Sequence, residues 1–255
     1  MSGQKKSFEQ LVSIMTRLRS KKGCPWDRKQ THKTLLPYLV EESYELIEAI
    51  NSGDNDAVKE ELGDVLLQVV FHAVIAAEKG KFDIYDVIAG LNEKLITRHP
   101  HVFAGKKGIT RDWHVREMWE KGKKEEKRRE SVVDGVPAAM PALLRARRLQ
   151  SKVSTTGFKW KTSGAVIKKV EEELAEVKAA LKSGKKRHIE EEIGDLMFTL
   201  VGLSYLMRID PENALQRTND KFIRRFKKAE KRLYTGMSEK KMLEEWARAK
   251  GRKKC

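Results

Sequence analysis

The stretch LVEESYELIEAINSGDNDAVKEELGDVLLQVVF, Leu39 to Phe71, decides the fold. Four acids in it are paired at a spacing of three: Glu42 with Glu45, and Glu61 with Asp64. At that spacing both side chains of a pair leave one face of a helix. Between the pairs lies Asn51-Ser52-Gly53-Asp54, a turn signal centred on Gly53. Glu45 and Glu61 each stand eight residues from Gly53, and Glu42 and Asp64 each stand eleven. A chain that goes out on one helix and returns on another therefore brings all four acids to one height, roughly 12 to 17 Å from the turn at about 1.5 Å per residue.

These acids are badly placed for a solvated face. Leu35, Leu39, Glu42, Leu46 and Ile50 form one stripe at helical spacing, with an acid inside it. Asp64 leads into VLLQVVFHAVIAA, which is apolar nearly all round and expected to be buried. Four carboxylates in such a cluster do not stay ionised without a counter-charge. A hard divalent cation supplies one: Mg²⁺ favours a few carboxylates with water and phosphate oxygens, and Mn²⁺ is the alternative ion. The plainer reading, four unrelated surface acids, is weakened by the symmetry and further by a recurrence.

Residues 170–198, VEEELAEVKAALKSGKKRHIEEEIGDLMF, repeat the arrangement. Glu173 with Glu176 and Glu192 with Asp195 flank Gly184 at the same offsets, each acid displaced by 131 residues from its first copy. Val166, Val170, Glu173, Val177 and Leu181 repeat the stripe. Strand-like alternation is absent, so the sequence predicts an all-α fold, a tandem repeat of two similar helical domains each built on an acidic helical hairpin. The predicted domains are residues 1–130 and 142–255, joined by a linker over 131–141 that contains Gly135, Pro137 and Pro141. The predicted helices are 7–19, 35–50, 57–78, 84–98 and 112–129, then 142–153, 165–182, 187–207 and 211–233, with a last one after Ser238; 20–32 reads as loop.

The motif EExxE followed by ExxD across a hairpin resembles the all-α nucleoside triphosphate pyrophosphohydrolases. With GCPWD (Gly23 to Asp27) and RHPHVF (Arg98 to Phe103), the chain resembles their MazG family over almost its whole length. The acidic motif alone is shared with dimeric dUTPases; the combination is more specific. The resemblance implies Mg²⁺-dependent cleavage of nucleoside triphosphates, with deoxynucleotides and non-canonical nucleotides among the candidates, to monophosphate and pyrophosphate. It implies that the eight acids are catalytic metal ligands holding one or two ions per site, with a metal-activated water as nucleophile. Related enzymes pair their hairpins between subunits, which implies a homodimer.

Further candidates follow the acids. Asn92, Lys94 and Arg98 on the helix after the first hairpin match Asn219, Lys221 and Arg225 after the second. Lys and Arg four residues apart point the same way, and the family resemblance makes them a clamp for the outer phosphates, against a solvated face. Lys169 lies one turn before Glu173, where the first copy has Tyr38; resemblance suggests that it touches phosphate. Glu41 and Glu172 precede the core acids and either assist there or face solvent. Trp160 and Trp246, like Trp26 and Trp119, are either core residues or platforms for a base, Trp160 and Trp246 being the better platforms because they accompany Lys169. His99 and His101 flank Pro100 and read as packing at a helix end.

Composition bounds the rest. The 255 residues suffice for two domains, and 40% hydrophobic content supports real cores. No run of 18 apolar residues predicts a membrane span, no signal peptide is legible, and two cysteines, Cys24 and Cys255, suit a reducing cytoplasm. Of the +16 formal charge, residues 1–130 contribute 24 − 21 = +3 and residues 131–255 contribute 29 − 16 = +13. Such charge attracts free nucleotides or nucleic acid, or serves solubility alone. The expected partners are nucleoside triphosphates, with nucleic acid not required. A different class stays open: a basic helical nucleic-acid-binding or regulatory protein with degenerate nucleotide sites.

Overall fold

The structure, a computed structural model, describes residues 7–105, 114–115, 118–119, 122 and 130–249. The chain divides into two compact units, Met1–Ile109 and Thr110–Cys255. Among the described residues every regular element is helical, and the two hairpins are there. Most of the charged helix expected over 112–129 lies outside the described residues.

In the first unit the order is α1 (Phe8–Arg19), α2 (Pro25–Lys29), α3 (Leu36–Ser52), α4 (Asn55–Ala77), α5 (Ile84–Arg98) and the single turn α6 (Pro100–Phe103). α3 and α4 pack along each other. Their turn needs a residue at positive φ, which Gly53 supplies at 77°, and Asp54 then caps α4 by accepting from the Asp56 and Ala57 amides. Met15, Leu35, Val70, Phe71, Val74, Ile75 and Ile84 form the core, at the end of α4 remote from the turn, where α1 and the start of α5 cover it.

In the second unit α7 (Ala142–Ser154) packs on α9 (Lys186–Leu206), which pairs with α8 (Ser163–Ser183), followed by α10 (Pro211–Ala229), a 3-10 turn over Glu230–Arg232 and α11 (Glu239–Ala249). Gly184, at φ 67°, repeats the role of Gly53. Residues ahead of α7 are tied to it: the buried Lys152 ammonium donates to the Val132 carbonyl at 2.7 Å.

Two expectations need correction. The apolar stripe does not run to Ile50 and Leu181, which are exposed; Ala49 and Ala180 are buried in their stead. Each step of four residues turns the stripe by about 40° beyond a full circle, so its last member leaves the core face. The segment after Asp64 is not buried all round either: Leu66 and Val69 are exposed while residues 70–71 and 73–76 are buried.

The region expected to be a loop over 20–32 contains α2, with Pro25 in its first turn. GCPWD has a structural task there. The Gly23 and Cys24 amides donate to the Ser20 and Leu18 carbonyls at 2.8 and 2.7 Å, closing the end of α1. A Cβ on Gly23 would stand 2.1 Å from the Leu18 oxygen and 2.4 Å from that of Arg17, which only glycine avoids. Arg19 fixes the loop to α4 through two contacts of 2.7 Å to the Glu78 carboxylate, donations to the Asp27 and Gln30 carbonyls, and a place over the Phe71 ring. Gly23→Ala should therefore lower stability by about 1–3 kcal/mol, as overpacking does, while Gly90→Ala, in open space within α5, should raise it by about 0.5–1 kcal/mol. Thermal melts of the two variants check this pair.

Candidate active site

Each hairpin brings three of its four acids together. Glu42, Glu45 and Glu61 can offer carboxylate oxygens that all lie within 4.8 Å of one another, and so can Glu173, Glu176 and Glu192. The helical register causes this: Glu45 meets Glu61, and Glu176 meets Glu192, at equal distance from the glycine turn, and Glu42 and Glu173 join them from three residues back on the same helix face. The fourth acids, Asp64 and Asp195, lie outside these triads. Asp64 is still close enough for its charge to disfavour the ionised forms of Glu42 and Glu61.

Burial, then crowded like charges, raise the proton affinity of three of the acids. Glu42 is pushed above the ordinary carboxylate range by burial first, then by Asp64 and Glu45. Glu61 is raised by burial, then by Glu45 and Asp64. Glu176 is raised by burial and Glu173, with the Lys169 ammonium opposing.

The second triad is built differently from the first. Lys169 Nζ stands 2.9 Å from Glu173 Oε1 and 2.6 Å from Glu172 Oε1, and both carboxylates hold its pKa up, Glu172 more than Glu173. Glu173 is only 5% exposed, and its Oε2 is buried with no hydrogen-bond partner. In the first unit Tyr38, at the matching position, packs edge-on against Trp26 with ring centroids 5.7 Å apart. Among the described residues no Lys or Arg pairs with Glu42, Glu45 or Glu61.

The donor set fits a hard divalent cation. It offers oxygen ligands only, three converging per hairpin, and a buried carboxylate oxygen that lacks a partner.

The other sequence candidates divide. Asn92 and Lys94 are exposed on α5, but Arg98 is buried, so the first-unit clamp does not present both of its cations alike. On α10, Asn219 and Lys221 are exposed and Arg225 is half-buried. Asn219 donates to Gln216 Oε1 at 3.2 Å. Glu41 is exposed, and Glu172 serves Lys169. Trp160 is partly exposed, with Nε1 close over Gly202. Trp246 packs on Phe222, centroids 5.2 Å apart, so part of its ring is already spent.

Sequence reasoning missed two features. His188 Nδ1 stands 3.4 Å from Glu192 Oε1; its position four residues before an acid of the triad was the available signal. His32 and His72 stack with Nδ1 atoms 2.8 Å apart. Their 40-residue separation left no signal in the pattern.

The MazG nucleotide pyrophosphohydrolase domain is matched twice along the sequence, over residues 30–103 and 161–229. The chain belongs to the MazG nucleotide pyrophosphohydrolase family. Membership makes it a nucleoside triphosphate pyrophosphohydrolase in class. Among its relatives, the nucleoside triphosphate pyrophosphohydrolase/pyrophosphatase MazG of Thermotoga maritima is 51% identical over 251 residues, covering 96% of each chain. The nucleoside triphosphate pyrophosphohydrolase of Escherichia coli K12 is 41% identical over 255 residues, covering 95% of this chain and 97% of its own. In this MazG-family chain each matched stretch holds one complete set of acids. GCPWD and Trp246 fall outside the matched stretches.

A carboxyl whose folded pKa is raised binds its proton more tightly in the folded state. It contributes stability that is present below the unfolded value and lost as pH rises through the folded one. Metal-free protein should thus lose stability through Glu42 as pH rises above the ordinary carboxylate range. Glu42→Gln should remove that loss, so that the variant's melting temperature gains on the wild type between acid and neutral pH. A constant difference across that range would count against the raised proton affinity of Glu42.

Proposed function

We propose that the chain hydrolyses nucleoside triphosphates between the α- and β-phosphates, giving monophosphate and pyrophosphate, with Mg²⁺ at its acidic hairpins. The observation that carries this reading is Glu173: buried, with one oxygen unpartnered, and grouped with Glu176 and Glu192 beside Lys169. Glu42, Glu45, Glu61 and Asp64 would hold the ion in the first unit, and Glu173, Glu176, Glu192 and Asp195 in the second. When bound, the ion supplies positive charge to phosphate oxygens and acidifies a water.

The chain's own residues do the remainder. One carboxylate of the cluster takes the proton of the attacking water as its oxygen adds to the α-phosphorus and the bond to the bridging oxygen breaks. Lys169, Lys221 and Arg225 offset the charge gathering on the departing pyrophosphate, with Lys94 and Arg98 as their first-unit counterparts. Asn92 and Asn219 stand beside these cations. Trp160 offers its exposed ring to the base, and Trp246 what its contact with Phe222 leaves free. Deoxynucleotides and non-canonical nucleotides fall within this substrate class.

The second unit is the better candidate for most of the turnover. It alone has the lysine at the triad, and the residues after 130 carry +13 of the net charge, which draws a polyanion. We also infer a homodimer. Leu62, Leu66 and Val69 on α4 and Val40, Tyr44 and Ile47 on α3 leave apolar side chains exposed on the hairpin that carries the acids. No described helix is long and apolar enough to cross a membrane, and the reading places the enzyme among free nucleotides in the cytoplasm.

Turnover should need a divalent cation and release pyrophosphate. Full activity in excess chelator, or release of orthophosphate and a diphosphate, would reject the reading. Glu173→Ala with Glu176→Ala should abolish most turnover, and Glu42→Ala with Glu45→Ala should leave much of it; the opposite pattern reverses the assignment of the units. Lys221→Ala and Arg225→Ala should each weaken triphosphate binding about tenfold to a hundredfold, at roughly 1.5–3 kcal/mol per charge-assisted contact, with helical content unchanged by circular dichroism.

A further inference from the structure

The two triads differ in their cationic neighbours: Lys169 touches the second and, when protonated, so does His188, whereas the first has Tyr38 and Ala57 at the matching positions. In the second unit an ammonium already touches the most buried acid. In the first unit the same position is a tyrosine that packs on a tryptophan. We propose that Lys169 is a tethered counter-cation: it holds Glu173 in the metal-free site, and it yields that carboxylate when a divalent ion enters together with a triphosphate. Ion binding in the second unit is then coupled to nucleotide binding, and ion binding in the first unit is not. The inference rests on the metal-phosphate reading above.

Burial sets the need for a counter-charge. Glu173 is 5% exposed, and an ionised carboxylate so placed is costly without a cation. Lys169 answers half of that need, at 2.9 Å from Oε1, and leaves Oε2 bare. Without an ion, the carboxylate is thus paired at one oxygen and still offers the other to a second cation.

Lys169 is also built to move. Its side chain is one-third exposed, and its Nζ is shared with Glu172, whose side chain is 58% exposed. When Glu173 turns to an ion, the ammonium keeps Glu172 as a partner and swings outward on a flexible four-carbon stem. No backbone change is required.

Charge decides the coupling. An ion approaching Glu173 alone meets the ammonium at contact range, where like charges repel strongly. A triphosphate arriving with the ion gives the displaced ammonium a new anionic partner, which removes that opposition. By linkage, the nucleotide then tightens the ion as much as the ion tightens the nucleotide. At the first triad, with no Lys or Arg paired to it among the described residues, this term is missing.

The test uses the full chain with Mn²⁺ as the probe, read by electron paramagnetic resonance of free Mn²⁺, and α,β-methylene ATP as the uncleaved nucleotide. Glu42→Gln with Glu45→Gln silences the first site, so the second site alone reports. In that background Lys169→Met should tighten nucleotide-free Mn²⁺ binding by about tenfold, the size of one charge-assisted contact, and should lessen the further tightening by the nucleotide. Lys169→Arg should restore the coupling. Because Lys169→Met also uncovers Glu173, thermal melts give a second reading: Mn²⁺ should raise its melting temperature more than that of the parent. Unchanged or weaker nucleotide-free Mn²⁺ binding in Lys169→Met, with no added stabilisation by Mn²⁺, would overturn the proposal. Failure of Mn²⁺ to bind the second site even with nucleotide would overturn the metal reading beneath it.

Discussion

Mutual repulsion among carboxylates held at one height of a hairpin is the constraint on which the rest depends. The helices could separate the acids, neutralise them or give them a cation. They do not separate them: three oxygens converge within 4.8 Å in each hairpin. The glycine turns at positive φ fix the register, and the acids are left where only protons or cations relieve them.

That constraint explains why two copies of one design are unlike. In the first unit the proton affinity of Glu42 and Glu61 is raised, as that of Glu176 is in the second, and Arg19 holds the GCPWD loop to Glu78 away from the acids. The second unit places an ammonium inside the cluster. One motif, duplicated at a shift of 131 residues, has two electrostatic settings, with Tyr38 against Lys169 and Ala57 against His188.

The hairpins were legible because their signal is periodic. Equal offsets of the acids from Gly53 and Gly184, and stripes at helical spacing, depend only on local geometry. Three things were less legible. The stripe ends lie at Ala49 and Ala180, since two successive steps of four overrun a 3.6-residue turn. Asp64 and Asp195 lie outside the triads although sequence symmetry treats them like the rest. The pairings of Arg19 with Glu78 and of His32 with His72 join segments 59 and 40 residues apart, where no local pattern reaches. Lys169 stands out in the sequence by its place one turn before Glu173, but its hold on Glu172 and the bare Oε2 of Glu173 are facts of side-chain packing.

The central claim is that both hairpins are cation sites. Its most direct test is anomalous diffraction from a crystal of the full chain soaked in Mn²⁺. The account predicts one anomalous peak among Glu42, Glu45 and Glu61 and, with a bound triphosphate analogue, another among Glu173, Glu176 and Glu192. Peaks only elsewhere, or none in either triad, would contradict it.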